Sequence, residues 1–288
     1  MTRISAPTGG WRLHILHETG FEYAGEASAS YNEARLTPLV TTNQMVLASE
    51  LRTTPNAAKW RYSDYFENQV VAFQLDEPHN ALKITADSMV ETSAVQDPRG
   101  SLTRYGLEAH AVTDALDEYL QPTPRTKLPA EVVDAVRDET SALSPHDAAE
   151  AISERVRALL TYAKGVTGVQ TTAAEALEIG QGVCQDFTHV ALAMLRSIGI
   201  PARYVSGYLH PHRDAQPGET RSGESHAWVE YFTGEWNQFD PTSGVGVGPR
   251  HVVVARGRDY RDAAPLNGIY HGAPASALGV TVTITRVR

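Results

Sequence analysis

An α+β fold follows from three patterns in the 288-residue sequence. Apolar and polar residues alternate over short runs through the first hundred residues, the period of half-buried antiparallel strands. One helix, beginning at Cys184, carries a one-sided apolar stripe. Strand-like segments follow it. A Cys-bearing helix packed on an antiparallel sheet, preceded by a small β-sandwich, is the arrangement these patterns imply.

The elements read as follows. In Trp11-Arg12-Leu13-His14-Ile15 the apolar residues fall at alternate positions, as do Val71, Phe73 and Leu75. Leu82, Ile84 and Ala86 alternate with Lys83, Thr85 and Asp87. Residues 1–97 are expected to form the β-sandwich, and 98–288 the core with its preceding helices. The pattern changes near Ser101, and Pro122, Pro124 and Pro129 punctuate the join. Ser144-Pro145 is an N-cap followed by proline at the first helical position. Ile152, Val156, Leu159 and Leu160 form that helix's stripe, with Gly165 as its expected stop. Thr172-Ala173-Ala174-Glu175 has capping-box spacing. After Gly180-Gln181-Gly182-Val183-Cys184, the residues Phe187, Val190, Ala191, Met194, Leu195 and Ile198 line one helix face, ended by Gly199 and Pro201. Strands are expected at 202–208, 225–232, 236–240, 251–255 and 280–287. No internal repeat is visible.

Composition narrows the function. Hydrophobic residues make up 42% and charged residues 20%, enough to fill a core and too apolar for disorder. Lys plus Arg number 25 against 34 Asp plus Glu, a net charge of −9. With no dense basic run, that balance argues against nucleic acid and anionic lipid as partners. No apolar run reaches the roughly 18–20 residues of a membrane helix. The stretch from Met1 to Ala6 lacks the apolar segment of a signal peptide, so a cytoplasmic protein is expected. One cysteine forbids an internal disulfide and any multi-cysteine zinc or iron–sulfur site.

That one thiol sits at the first turn of a helix, whose positive end stabilises a thiolate. A lone cysteine is also commonly a small buried apolar residue, and placement alone leaves both readings open. A second constellation bears on the choice. His226, Trp228, Glu230 and Phe232 share one face of a strand, and Trp236, Gln238 and Asp240 one face of the next, with a turn at Thr233-Gly234. A hairpin centred on Thr233 puts His226 directly across from Asp240. Nucleophile, base and orienting carboxylate would then stand together.

Gly182-Val183-Cys184-Gln185-Asp186-Phe187, the run from Gly199 to Tyr208, His226-Ala227-Trp228-Val229-Glu230 and Phe239-Asp240-Pro241-Thr242 resemble the transglutaminase-like superfamily. Residues 251–272, including Gly257-Arg258-Asp259-Tyr260, resemble the tail of its bacterial members, and the first hundred residues the small β domain that precedes the core in many of them. The resemblance implies a papain-like core with Cys184 as nucleophile, His226 as base and Asp240 as orienter. It implies thiolate attack on an amide or peptide carbonyl, a thioester, and release to water or an amine, without cofactor or metal. The substrate would be a peptide or protein carrying an amide or carboxamide. The Cys184 amide and the Gln181 side chain are the expected oxyanion donors. A non-catalytic binding module on the same fold is the rival reading, and oligomeric state stays open.

Other features carry less. His189, five residues past Cys184, points away from it and reads as a packing residue. His210-Pro211-His212 with Asp214 lacks a further metal ligand. Gly244-Val245-Gly246-Val247-Gly248 lacks nucleotide-loop spacing. No G-x-S-x-G or EF-hand loop occurs. Trp228 reads as core that also keeps water from the thiol. Asp186 and Asp259 match family positions without an assigned step. Residues 28–38 and 60–66 carry aromatics suited to a cleft wall or to edge-strand packing.

Overall fold

The alternation at the start of the chain runs on into a 24-residue strand, β1 (Trp11–Ala34), with Trp11, Leu13, Ile15 and His17 buried at every second position. The computed structural model describes residues 9–94, 102–223, 225–244 and 246–288. After β1 come β2 (Gln44–Thr54), β3 (Lys59–Ser63), β4 (Gln69–Leu75) and β5 (His79–Thr92), then α1 (Arg104–Leu107), α2 (His110–Leu116) and α3 (Ala130–Thr140). The middle of the chain forms α4 (Pro145–Leu159), β6 (Thr161–Tyr162), α5 (Ala173–Ile179), β7 (Gln181–Gly182) and α6 (Cys184–Ser197). Strands β8 (Ala202–Leu209), β9 (Thr220–Gly223), β10 (Ser225–Phe232), β11 (Trp236–Phe239), β12 (His251–Gly257), β13 (Leu266–Gly272) and β14 (Ala275–Arg286) complete it.

β1 is long enough to serve two half-sheets. Its first half pairs with β5 on one edge and β14 on the other, and its second half with β4 and β13. Apolar residues from β1, β2, β4 and β5, among them Phe73, Leu82 and Ile84, fill the space between the halves. The expected cut at 97/98 lies outside the described residues. The sheet itself departs from that division: β13 and β14 return from the far end of the chain, and β9 from between β8 and β10, to complete it. The edge of β1 opposite β5 would otherwise expose unpaired amides and carbonyls.

The second sheet runs β11-β10-β8-β12, all antiparallel. Ala227, Val229 and Tyr231 of β10 pack with α6, whose residues Phe187 to Leu195 are buried. Farther along the same face, Tyr208 and Val252 pack with Leu13, Ile15, Val282 and Ile284 of the first sheet, while Val205, Trp228 and Val253 on the other face pack with Leu39. Gln44 stitches the two sheets, its side chain donating to the Val253 carbonyl at 2.8 Å and accepting from the Val253 amide at 2.8 Å.

The caps fall where expected. Ser144 accepts from the Asp147 amide, and Thr172 and Glu175 form the reciprocal box. α4 ends earlier than Gly165, because Leu160 turns extended and the chain enters β6, which pairs with β7 ahead of Cys184. No helix among the described residues is long and apolar enough to cross a membrane.

Candidate active site

Cys184 is the first residue of α6, half-buried, behind an extended Val183. First-turn amides have no intrahelical acceptor, so the helix presents free N–H groups and its positive end at the thiol. Asp186 fixes this start. Its buried carboxylate accepts from the Val183 amide at 2.7 Å and from Thr167 Oγ1 at 2.6 Å. Gly182 makes room for it, since a Cβ there would lie 2.6 Å from Asp186 Oδ2. Asp186, unassigned from sequence, therefore positions the backbone at Cys184.

His226 stands near the beginning of β10, on the sheet face opposite α6, where strand end and helix start converge. Its Nε2 lies 2.8 Å from Asp240 Oδ2. The hairpin pairs Phe232 with Trp236 and Val229 with Phe239, so it centres on Gly234 rather than Thr233. That shifts the expected register by two residues. His226 reaches Asp240 diagonally, and the shared face survives because a two-residue shift preserves side-chain parity. Gly207, directly opposite His226 on β8, is required here: a Cβ would lie 2.0 Å from the Val252 carbonyl oxygen and 2.6 Å from the Trp228 ring. Trp228 is fully buried, stacked beside His226 at 6.2 Å between ring centroids.

Asp240 is buried and heavily bonded. Besides His226 it accepts from Ser243 Oγ at 2.6 Å and from the amides of Thr242 and Ser243 at 2.9 and 3.2 Å. A second buried imidazole, His251 from β12, lies 3.5 Å away and is oriented by the Gly248 amide, which donates to its Nδ1. Burial alone would raise the Asp240 pKa, but the hydrogen bonds from His226 and His251 and the positive charge of His226 hold it well below the carboxylate range. Burial likewise opposes a charged His226, yet its hydrogen bonds to Asp240 and Cys184 and their negative charge raise it to about 10. Burial is the first cause keeping His251 below the usual histidine value, so the carboxylate carries one imidazolium and one neutral imidazole.

The linkage has a defined window. A raised His226 stabilises the folded state fully below 6.5 and loses that contribution as pH climbs through about 10. A lowered Asp240 contributes above 3.8 and loses it on acidification. The stability difference between wild type and His226→Gln, measured by denaturant unfolding, is expected to be largest between pH 3.8 and 6.5 and to shrink on either side. A difference that stays constant up to pH 10 would refute the His226–Asp240 coupling.

The donor atoms of His226, Asp240 and His251 lie within 4.8 Å of one another, the one such group among the described residues. The two imidazoles already bond the carboxylate, so the arrangement is complete as a proton-handling network. His210 and His212 do not join a cluster: His210 Nδ1 accepts from the His212 amide, and His212 pairs with Glu219 at 2.7 Å. His189 is fully buried on α6, its Nε2 accepting from the Tyr260 amide. Asp259 accepts from the Arg261 amide.

Cys184 and His226 open onto a cleft of about 510 Å³ walled by Phe21, Leu266, Leu278 and Val280 on one side and by Gln185 and Tyr204 on the other. A smaller cavity of about 280 Å³, lined by Leu209, Pro211 and Gly223, reaches the same two residues. Gln181 lines neither cavity; it is exposed on β7. From the first sheet the main cleft is walled by His17, Thr19, Gly20 and Phe21 of β1, which sequence reasoning did not single out, and by Leu266, Ala277, Leu278 and Val280 of β13 and β14, whereas 28–38 and 60–66 line neither cavity. His251 and Tyr204 were missed as well. Nothing in local spacing marks them, because their closeness to Cys184 or Asp240 depends on strand order in the second sheet.

Residues 131–241 match the model of the transglutaminase-like superfamily, and residues 13–91 that of the bacterial transglutaminase-like N-terminal region. An uncharacterized protein of Mycobacterium leprae is 44% identical over 277 residues, spanning 96% of this chain and 99% of that protein. The chain belongs to the transglutaminase-like superfamily. An uncharacterized protein of Mycobacterium tuberculosis is 33% identical over 315 residues, covering 98% and 95%. The fold is shared with a candidate cysteine protease from Cytophaga hutchinsonii, at a TM-score of 0.78 and 22% identity, over 98% of this chain and 92% of that one. The α+β, papain-like architecture expected for this superfamily is thus the one observed.

Proposed function

We propose that this superfamily member is a cysteine-dependent acyl-transfer enzyme acting on an amide of a peptide or protein, with Cys184, His226 and Asp240 as its triad. The observation that carries the reading is His226 held between a buried Asp240, 2.8 Å from its Nε2, and the thiol at the start of α6. The imidazolium and the helix end together stabilise negative charge on Sγ. Sγ attacks the amide carbon, and the oxyanion takes a hydrogen bond from the Cys184 amide. Tyr204 supplies the second donor in place of Gln181. It lines the cleft, and burial first, then the charge of Cys184, keeps its phenol protonated. His226 then protonates the leaving amine through the nitrogen facing sulfur, and the acyl group remains on Sγ as a thioester. Water, activated by the now neutral imidazole, attacks the thioester; the thiolate leaves and His226 regains its proton. An amine entering by the smaller cavity would give transfer instead.

Intact-mass measurement after mixing with p-nitrophenyl acetate, followed by peptide mapping, is expected to find one acetyl group on Cys184. Adding monodansylcadaverine separates the two fates of the thioester. A protein that never gains the acetyl group would overturn the reading.

A further inference from the structure

Resting on that reading, we infer that His17 is a substrate-recognition residue, whose Nε2–H donates a hydrogen bond to a main-chain carbonyl oxygen of a peptide in the cleft. His17 belongs to β1, in the sheet that carries none of the triad, and is 1% exposed. Its Nδ1 lies 2.9 Å from the hydroxyl of Tyr208. Tyr208 is buried, burial pushes its pKa up, and its hydroxyl has no other partner among the described residues. A buried phenolic proton is hydrogen-bonded, and here Nδ1 is the acceptor it meets. The imidazole therefore carries its proton on Nε2. Burial lowers the His17 pKa to about 4, so the ring is a neutral donor at physiological pH.

That Nε2 has no partner among the described residues. His17 lines the cleft that holds Cys184, and also a recess of about 10 Å³ bounded by Arg35, Ser206, Ser225 and Pro265. Arg35 Nη1, a second buried donor, is likewise unpartnered. The recess has room for a single oxygen atom. The Arg35 charge is already met by Asp64 at 2.9 Å and Glu33 at 3.3 Å, so the site favours a neutral carbonyl over a carboxylate. Phe21, Leu266, Leu278 and Val280 beside it offer an apolar wall to a side chain. One carbonyl held beside one apolar side chain is how an extended peptide presents itself.

The test compares two p-nitrophenyl esters, N-acetyl-leucyl and 4-methylpentanoyl, which share the side chain and differ in the acetamido group that carries the carbonyl. Wild type is expected to show a KM about tenfold lower for the N-acetyl-leucyl ester, the worth of satisfying a buried donor. In the double variant His17→Phe, Tyr208→Phe, which removes both partners of the bond at once, that ratio is expected to collapse toward one. The ratio is internal to each protein, so a general loss of activity cancels. A preference that survives in the double variant overturns the proposal and leaves a bound water as the recess's occupant. Should the double variant not fold, nitrogen-15 spectra of the histidine side chains in Cys184→Ala protein decide the matter. His17 is expected as the Nε2–H tautomer, shifting on addition of N-acetyl-leucine methylamide. An Nδ1–H tautomer, or no shift at saturating probe, overturns the assignment. This measurement needs no turnover, so a shifting His17 in a chain that never acylates Cys184 would refute the catalytic reading alone.

Discussion

Cys184→Ala is expected to eliminate the p-nitrophenol burst and lower turnover by about 10⁶-fold, the scale of removing a nucleophile that works as part of a unit. Ser206 and Ser225 also line the cleft, but the His226 imidazole bonds to Cys184 and Asp240. A serine without a base is a poor nucleophile at neutral pH. The thiol is small and half-buried, so the variant is expected to keep its unfolding free energy to within about 1 kcal/mol. Stopped-flow release of p-nitrophenol against the unfolding curve of the same preparation checks both halves. A burst that persists in the variant would move the nucleophile elsewhere.

The second large effect belongs to Asp240→Asn, expected to cost about 10⁴-fold in turnover, by analogy with the serine-protease triad from which that magnitude comes. The geometry explains why so small a change should matter. The amides of Thr242 and Ser243 both point at Oδ1. An asparagine carbonyl oxygen would take that place and turn its NH₂ toward His226 Nε2. His226 Nε2 would then have to accept rather than donate, which puts the imidazole proton on the nitrogen facing sulfur. With a proton already on the nitrogen facing sulfur, the neutral imidazole has no lone pair there to accept the thiol's proton, and it has lost the carboxylate that favours the imidazolium. The pH profile of kcat/KM should move with the loss, since His226 is raised to about 10 partly through Asp240. Unchanged activity would remove Asp240 from the mechanism.

Several features of this site are local and were readable as sequence. Cys184 falls at a helix start because a one-faced stripe begins immediately after it, and the caps at Ser144 and Thr172 are set by residues within one turn. The His226–Asp240 pairing was legible in part. Strand alternation fixed that both side chains share a face, whereas the turn centre, Gly234, set the register and was misjudged by one residue.

What the sequence by itself determined is therefore face and periodicity: which residues are buried, which begin a helix, and which side of a strand the imidazole occupies. These depend on the 3.6 and 2.0 periods of the backbone, which act over a few residues. The tertiary structure decided which segments meet. The last strand was readable as a strand, yet its place beside β1 rather than in the second sheet is a long-range pairing that no local pattern encodes. Gln181 stands next to the thiol in sequence but is drawn out of the cleft by the pairing of β7 with β6. His17 is far from Cys184 in the chain but shares its cleft, because the first sheet packs its apolar face on β8 and β12. Burial of apolar surface between two sheets is non-directional and cooperative, so the partners it selects appear only when the whole core is assembled.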